Sequence, residues 1–429
     1  MTAAFGSPLV GNDWSAVPLD GPARSVTVIV AHYAQQRELD RTIAALRRQT
    51  HPRHLLEIVV ADDGSPTPPV VPDDVILVRQ ADDGFRLSAV RNLGARSATG
   101  DVLCFLDADT APEPEYVARI AALPSAAPDV VAVGRRRHAA FDAVPVDAPV
   151  EVAGPEHELE EPRWLVDAYE RSRDLLDADA RSYRFAIGAV VACSRWLFDD
   201  VGGFDESFTS YGGEDWEWVH RAWSRGAALA HVRSAVAWHD GPDWAGRDED
   251  ERRRRKNAET VALARVIGVP GSAPASLAIG PPDVVVHLES APSPAAAIAC
   301  VDAVLRAFPT ARVVVPDAVH AALAADARLV REPGEGHRVA VRLAVPVLLD
   351  ERARAAMRAA AASVGVGDLA TVMLGEHVTV SAERARHRDR RWGRATRWRS
   401  ERHGADGILV LDDEPDLGGY LGGWWPPAA

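Results

Sequence analysis

The stretch Val102-Leu103-Cys104-Phe105-Leu106-Asp107-Ala108-Asp109 constrains this chain most. Five consecutive apolar residues without alternation describe a strand covered on both faces, which requires a sheet packed between helices. Two carboxylates, one residue apart, follow where the strand must end. At the carboxyl edge of an open α/β sheet, that is where ligands bind. An Asp-x-Asp pair there can hold a divalent cation through hard oxygen ligands, and the cation can grip a diphosphate. Alone, the pair reads more simply as a strand-end turn with two solvated aspartates. The flanking sequence decides between the two.

A length of 429 residues favours two domains. The net charge of −14 argues against general nucleic-acid binding, which needs a basic surface. Lys256 is the only lysine. Cys104, Cys193 and Cys300 lie far apart within apolar runs, so buried free thiols are expected rather than disulfides or a Cys-x-x-Cys metal site. Residues 1–22 lack the basic start and apolar core of a signal peptide, and no run approaches the ~18 apolar residues of a membrane span, so a cytoplasmic address is expected.

Before the Asp-x-Asp strand, Val26–Ala31 reads as a buried strand, Glu38–Gln49 as a helix and Leu55–Ala61 as a second strand ending in Asp62-Asp63-Gly64-Ser65-Pro66. A strand, helix and strand of this length form a right-handed parallel unit. Asp62 or Asp63 could accept hydrogen bonds from a base N–H or a ribose hydroxyl, although an Asp-Gly turn explains the same residues. A third strand, Val75–Arg79, leads to a helix from Ser88 to Ala98 that brings Arg91 and Asn92 toward the sheet edge. An arginine there can neutralise a phosphate or orient a nucleoside.

The ordered set Asp-Asp-Gly-Ser, Ala-x-Arg-Asn-x-Gly and Gly-Asp-Val-Leu-x-Phe-Leu-Asp-x-Asp resembles the nucleotide-binding half of family 2 glycosyltransferases of the GT-A fold, over roughly residues 24–240. The resemblance implies an α/β fold with a mixed, mainly parallel sheet between helices. It places Ala31 and His32 near the base, Asp62 or Asp63 on the uracil, Arg91 on base or ribose, Asp107 near the ribose and Asp109 on the metal. The family often has Pro-x-Tyr-Asn after the first strand, where this chain has Ala31-His32-Tyr33-Ala34.

Further on, Asp129–Gly134 reads as a strand before the basic cluster Arg135–His138, residues 142–162 as an excursion or loop, Glu161–Asp179 as a helix that could cap an acceptor, and Ala186–Cys193 as a buried strand. Then comes Gly202-Gly203-Phe204-Asp205-Glu206, followed by Tyr211-Gly212-Gly213-Glu214-Asp215-Trp216-Glu217-Trp218. Glycines allow close backbone approach, and the dipole of a helix starting here favours negative charge at its first turn. A carboxylate beside an acceptor hydroxyl is what inverting sugar transfer needs as a base; an ordinary helix cap is the plainer alternative. The motif resembles the acceptor-side signature of family 2 enzymes, chondroitin-polymerase-like enzymes and galactosyltransferases. It implies Asp215 as base and Glu214 assisting or binding acceptor hydroxyls, beside Gly213; because aromatic faces stack on sugar C–H faces, one or two tryptophans, Trp216 and Trp218, are expected at the acceptor and the others in the core. Trp223, Trp238 and Trp244 cluster nearby. Related retaining transferases commonly carry Glu-Asn, so Asp215 favours inversion. His239, after a strand ending at Trp238, resembles the remaining metal ligand, suited to Mn²⁺ more than Mg²⁺. The charged run Asp248–Lys256 reads as a solvated helix, or else as an arm closing over the diphosphate.

The expected organisation is a tail (1–22), a transferase domain (23–270) sufficient for the chemistry, a Pro-rich linker (271–282) and a smaller C-terminal α/β domain (283–429) that selects acceptors or mediates assembly. Residues 383–402 hold nine arginines and three acids. They could meet an anionic acceptor, a lipid-phosphate carrier or a membrane surface, or form a helix against acidic neighbours. The resemblance implies metal-dependent, inverting transfer from a nucleotide sugar, most simply UDP-linked, to a hydroxyl of a glycan or small molecule. The alternative is a non-catalytic glycan- or nucleotide-sugar-binding protein on the same scaffold. A nucleotidyltransferase would need a Gly-rich loop after the first strand, where His32–Arg37 stands.

Overall fold

The computed structural model describes residues 5–210, 212–242, 249–323 and 325–424, so Tyr211, Trp244, Asp248 and Trp425 lie outside it. Backbone contacts divide the chain into two compact units. The first comprises Met1–Thr260 with Arg388–Thr396, the second Val261–His387 with Arg397–Ala429.

The first unit runs β1 (Val26–His32), α1 (Gln36–Arg47), β2 (Leu56–Asp62), β3 (Ile76–Arg79), α2 (Leu87–Ser97), β4 (Val102–Asp107), β5 (Thr110–Pro112), α3 (Tyr116–Ala126), β6 (Val130–Ala139), α4 (Val150–Glu156), β7 (Glu158–Leu159), α5 (Arg163–Arg171), β8 (Val190–Ser194), α6 (Arg195–Val201), α7 (Glu214–Ser224), β9 (Ala228–Asp240) and the start of α8 (Glu249–Ala264). Its sheet has the order β3-β2-β1-β4-β8-β6-β9-β5, with β7 added on β6. β1 pairs in parallel with both β2 and β4, which puts Ala31 beside Ala61 and Asp107. The chain leaves β1 toward β2 and returns on its other side as β4. That reversal of strand order opens a crevice at the carboxyl ends of β1, β2 and β4. Every residue of β1 is buried, as are Val102–Leu106 of β4, as their largely apolar runs require. β4 and β8 pair antiparallel, making the sheet mixed. Cys104, Cys193 and Cys300 are free and buried.

Three elements differ from the sequence reading. β6 runs on through the basic cluster to Ala139, because its outer half pairs with β9 through a register shift after Gly134. α5 stops at Arg171, where Arg173, Asp174 and Leu175 take left-handed conformations with φ of 50°, 56° and 68°. Three such residues in a row are strained, and surrounding hydrogen bonds hold them: the Ser172 hydroxyl accepts from the Leu175 amide, and Asn12 donates to the Leu175 carbonyl at 2.8 Å. Finally, β8 begins only at Val190, and Ala186–Ala189 turn into it, with the Val190 amide donating to the Ile187 carbonyl at 3.0 Å.

The second unit is a smaller α/β body. Its strands Val284–Leu288, Arg312–Val314, Leu329–Val330 and Val339–Leu343 pair in parallel, and Val378–Ala382 adds antiparallel to the last of them. Helices Pro294–Ala307 and Glu351–Ser363 contribute Ala297, Val304, Met357 and Ala361 to its core. Among the described residues no helix is long and apolar enough to cross a membrane.

Two stretches read as peripheral are built into the fold. Within the segment set apart as an N-terminal tail, Asn12 is buried and its Oδ1 accepts from the Leu229 amide at 2.9 Å. Part of the Arg-rich stretch is turned into the protein. Arg384 is buried and donates to the Gly365 carbonyl, while Arg386 and Arg399 pair with Glu383 and Asp368. Arg388 donates to the carbonyls of Gly226 (2.7 Å) and Gly11 (2.7 Å). Arg391 forms an ion pair with the buried Asp129 and another with Asp200 at 2.9 Å, and Trp392 Nε1 donates to Asp129 at 2.7 Å. Arg384, Arg388 and Arg391 are thus engaged inside the protein, while Arg386, Arg390, Arg394, Arg397, Arg399 and Arg402 remain exposed.

Asp129→Ala removes the buried carboxylate that Arg391 and Trp392 share and leaves Arg391 with Asp200 as countercharge, and unfolding in urea should show a loss of about 3–5 kcal/mol in the transition of the first unit. A chain ended at residue 270 lacks Arg388–Thr396, and its first unit should melt roughly 10 °C lower, measured by circular dichroism.

Candidate active site

The centre of the first unit is a buried arginine. Arg91, on α2, donates to Asp107 Oδ1 at the end of β4 (2.9 Å) and to Glu214 Oε1 at the start of α7 (3.0 Å). Burial alone would lower the Arg91 pKa, but Asp107, Glu214 and Asp215 together raise it above the usual value. Gly188 makes the approach possible: a Cβ there would lie 2.7 Å from Arg91 Nη1. The Gly188 amide also donates to Asp215 Oδ2 at 2.8 Å, while Oδ1 accepts from the Trp216 amide at 2.8 Å. Asp215 is thus aimed by two backbone donors. Gly212 and Gly213 precede it with φ of 95° and 97°, a conformation that costs a glycine little and other residues much.

Glu214 is buried, and its Oε2 has no hydrogen-bond partner among the described residues. Burial, with Asp215 adding to it and Arg91 opposing, pushes its carboxyl up to about 7. Asp107, Arg91, Glu214 and Asp215 line one cleft of about 710 Å³, together with Gly213, Trp216 and the segment Ala186–Ala189. That size falls in the range of cofactor and substrate sites.

At the ends of β1 and β2 the side chains turn inward. His32 Nε2 accepts from the Gln35 amide (3.1 Å), so its Nδ1 carries the proton and donates to Asp62 Oδ1 (2.8 Å). Asp62 is fully buried and also accepts from the Ser65 amide (3.0 Å), the Ser65 hydroxyl and Arg79 Nε (2.8 Å). Burial would raise its carboxyl, but the Ser65 and His32 hydrogen bonds outweigh this and lower it. Asp62 thus has no exposed surface and its oxygens are engaged within the loop, and the His32 ring is likewise enclosed. Asp63 accepts from Gln80 Nε2 (2.6 Å) and the Arg86 amide (2.9 Å). Its carboxyl is raised by burial. Ala31 is buried, and its carbonyl holds the Ala108 amide at 2.9 Å.

Asp109 and His239 meet across the pairing of β5 with β9: Asp109 Oδ2 lies 3.6 Å from His239 Nε2, beyond hydrogen-bond range. His239 Nδ1 lies 3.2 Å from the Gly241 carbonyl, which only accepts, so that nitrogen carries a proton and Nε2 faces the carboxylate. This is the orientation in which imidazole binds a metal, with a carbonyl behind it. Gln35 Nε2 donates to Asp109 Oδ2 at 3.2 Å. Burial, reinforced by Asp107 and opposed by His239, raises the Asp109 carboxyl. An oxygen and an imidazole nitrogen fit a divalent ion. No group of three or more His, Cys, Asp or Glu side chains converges as a ligand set among the described residues. Further oxygens would come from substrate and water, as is usual for ions bound with phosphates.

The tryptophans are redistributed relative to the sequence reading. Trp218, expected at the acceptor, is fully buried against Phe198 and Phe204, as Trp223 and Trp238 are elsewhere in the core. Trp216 lines the cleft, but Lys256 Nζ sits 4.3 Å from its ring centroid and Tyr183 abuts it edge-on. The run expected as a solvated helix is helical from Glu249 and continues to Ala264, and from this helix Arg253, Lys256, Asn257 and Glu259 line the cleft. Sequence reasoning missed Gly188 and Trp164; the sole lysine was a signal left unused.

Residues 27–150 match the model of glycosyl transferase family 2, and residues 175–237 match the N-terminal domain of galactosyltransferase. The chain is 29% identical over 265 residues to a chondroitin synthase of Escherichia coli, covering 56% of this chain and 38% of that protein. It is 29% identical to a hyaluronan synthase of Pasteurella multocida, with 54% and 26% covered, and 29% identical to a validoxylamine A glucosyltransferase of Streptomyces hygroscopicus subsp. limoneus, with 57% of each covered. The chain therefore matches well under half the length of the two synthases. Two successive segments of the first unit therefore match a glycosyl transferase family 2 model and a galactosyltransferase N-terminal-domain model, in that order along the chain.

Proposed function

We propose that the first unit transfers a sugar from a nucleotide-diphosphate donor, UDP-linked in the simplest reading, to an acceptor hydroxyl with inversion. The observation that carries this is the meeting, in one cleft, of Arg91 and Asp107 from the nucleotide-side motifs with Glu214 and Asp215 from the acceptor-side motif. Asp215 takes the proton of the attacking hydroxyl, since the Gly188 and Trp216 amides hold its carboxylate in one direction within the cleft. Glu214, with Oε2 free of partners, binds or orients that hydroxyl. Asp107 at the end of β4 and Asp63 just after β2 flank the end of β1, at the reversal of strand order where a nucleoside would sit. Arg91 offsets negative charge as the diphosphate departs. A divalent ion held by Asp109 and His239, Mn²⁺ or Mg²⁺, would supply further charge neutralisation there. The remaining residues orient the two substrates and limit water.

Calorimetry of the purified chain against a panel of UDP-sugars, with Mn²⁺ and then with chelator, should show metal-dependent binding of at least one donor. Asp109→Ala should abolish it. Asp215→Asn should keep donor binding and lower transfer about 10²–10⁴-fold. A folded protein that binds no nucleotide sugar would refute the assignment.

The Glu214 carboxyl makes stability depend on pH. Its folded pKa of about 7 lies above the ordinary 4.5, so the fold carries no penalty from it below 4.5 and loses stability as pH rises through 7. Glu214→Gln cannot ionise. Its melting temperature should exceed that of the wild type at pH 8.5, and the gap should close by pH 4.5, as read by scanning calorimetry.

A further inference from the structure

We propose that Trp164 is the aromatic platform of the acceptor site, and that the acceptor it serves has at least two linked sugar rings: one presented to Asp215 and the next stacked on Trp164. This rests on the transferase reading above and specifies its substrate class. Trp164 lies on α5 and lines the same cleft as Glu214 and Asp215, with Pro162 and Leu165 beside it. It is 52% exposed, although α5 already buries Leu165, Ala168 and Tyr169 on its inner face. A half-exposed indole is therefore not needed for the core, and its flat apolar face suits the C–H face of a sugar ring. The other cleft tryptophan is not open in this way, because the Lys256 ammonium covers the ring of Trp216.

α5 is held firmly enough to make Trp164 a fixed contact. Glu161, just before it, pairs with Arg135 through two hydrogen bonds, at 2.5 and 3.2 Å. Tyr169 stacks on His231 with centroids 3.6 Å apart and planes 3° from parallel. The Tyr169 hydroxyl donates to the Phe185 carbonyl at 2.5 Å. Phe185 leads directly into Ala186-Ile187-Gly188, whose last amide holds Asp215. The platform and the proposed base are thus tied through one short, hydrogen-bonded path. A cleft of about 710 Å³ has room for more than a single acceptor ring beside a donor sugar.

The test uses the full chain, bearing an affinity tag for detection, with Mn²⁺ and UDP, on an array printed with monosaccharides and their di- and longer oligosaccharides. Mn²⁺-dependent hydrolysis of UDP-sugars is measured in parallel. The wild type should bind oligosaccharides in preference to the matching monosaccharides. Trp164→Ala should weaken oligosaccharide binding on the order of tenfold and erase that preference, while Trp164→Phe keeps most of it. Both variants should keep the wild-type circular-dichroism spectrum and melting profile, which shows an intact fold. Wild-type oligosaccharide binding by Trp164→Ala, equal binding of mono- and oligosaccharides, or no glycan binding by the wild type would overturn the platform. Absence of donor hydrolysis in the wild type would instead sink the transferase reading itself.

Discussion

The first unit depends on one buried cation. Arg91 sits where β4 ends and α7 begins, regions more than a hundred residues apart in the chain, and it bonds a carboxylate from each. A guanidinium without water must be paired, and it carries enough donors in a rigid fork to serve several acceptors at once. Its neighbours follow from that need. Position 188 is glycine because a side chain would strike the guanidinium. Phe204, from the Gly-Gly-Phe-Asp-Glu stretch, lies under it with its ring centroid 5.5 Å away. Three carboxylates surround this one fixed positive charge, and Glu214, the most buried of them, is the one whose proton is held to near-neutral pH.

A second buried cluster closes the same unit from behind. Asp129, at the start of β6, gathers Arg391 and Trp392 from late in the chain, while Arg388 caps the carbonyls of Gly11 and Gly226. Here too a charge that looked like surface in the sequence is internal. A run of arginines on a helix is ordinarily a solvated or ligand-facing stripe. What reverses that reading is a single aspartate, 262 positions away in the chain, that supplies the countercharge.

Much of the fold was legible locally. Largely apolar runs at 26–31 and 55–61, broken only by Thr27 and Glu57, and the unbroken run at 102–106 announced buried strands, and carboxylates at or after their ends announced the ligand-facing edge. The segments that escaped are those whose conformation is imposed from outside. α5 stops short because Arg173–Leu175 are held left-handed by Asn12, Ser172 and neighbouring backbone, none of which its own periodicity reveals. Ala186–Ala189 has the composition of a strand, yet it skirts the cleft because Arg91 and Asp215 need Gly188 there.

By itself, the sequence determined the order of strands and helices, the α/β class and the residue types that can do sugar-transfer chemistry, because these follow from hydrophobic period and from motifs only a few residues long. Tertiary structure alone decided which of those residues are free to act. Asp62 and His32 satisfy each other, Trp218 fills the core and the Arg-rich helix answers Asp129. Asp215, Glu214 and Trp164 are left facing one cleft. A side chain's availability depends on what packs against it, and the partners that engage His32, Asp62, Trp218 and the arginines come from strands and helices far away in the chain.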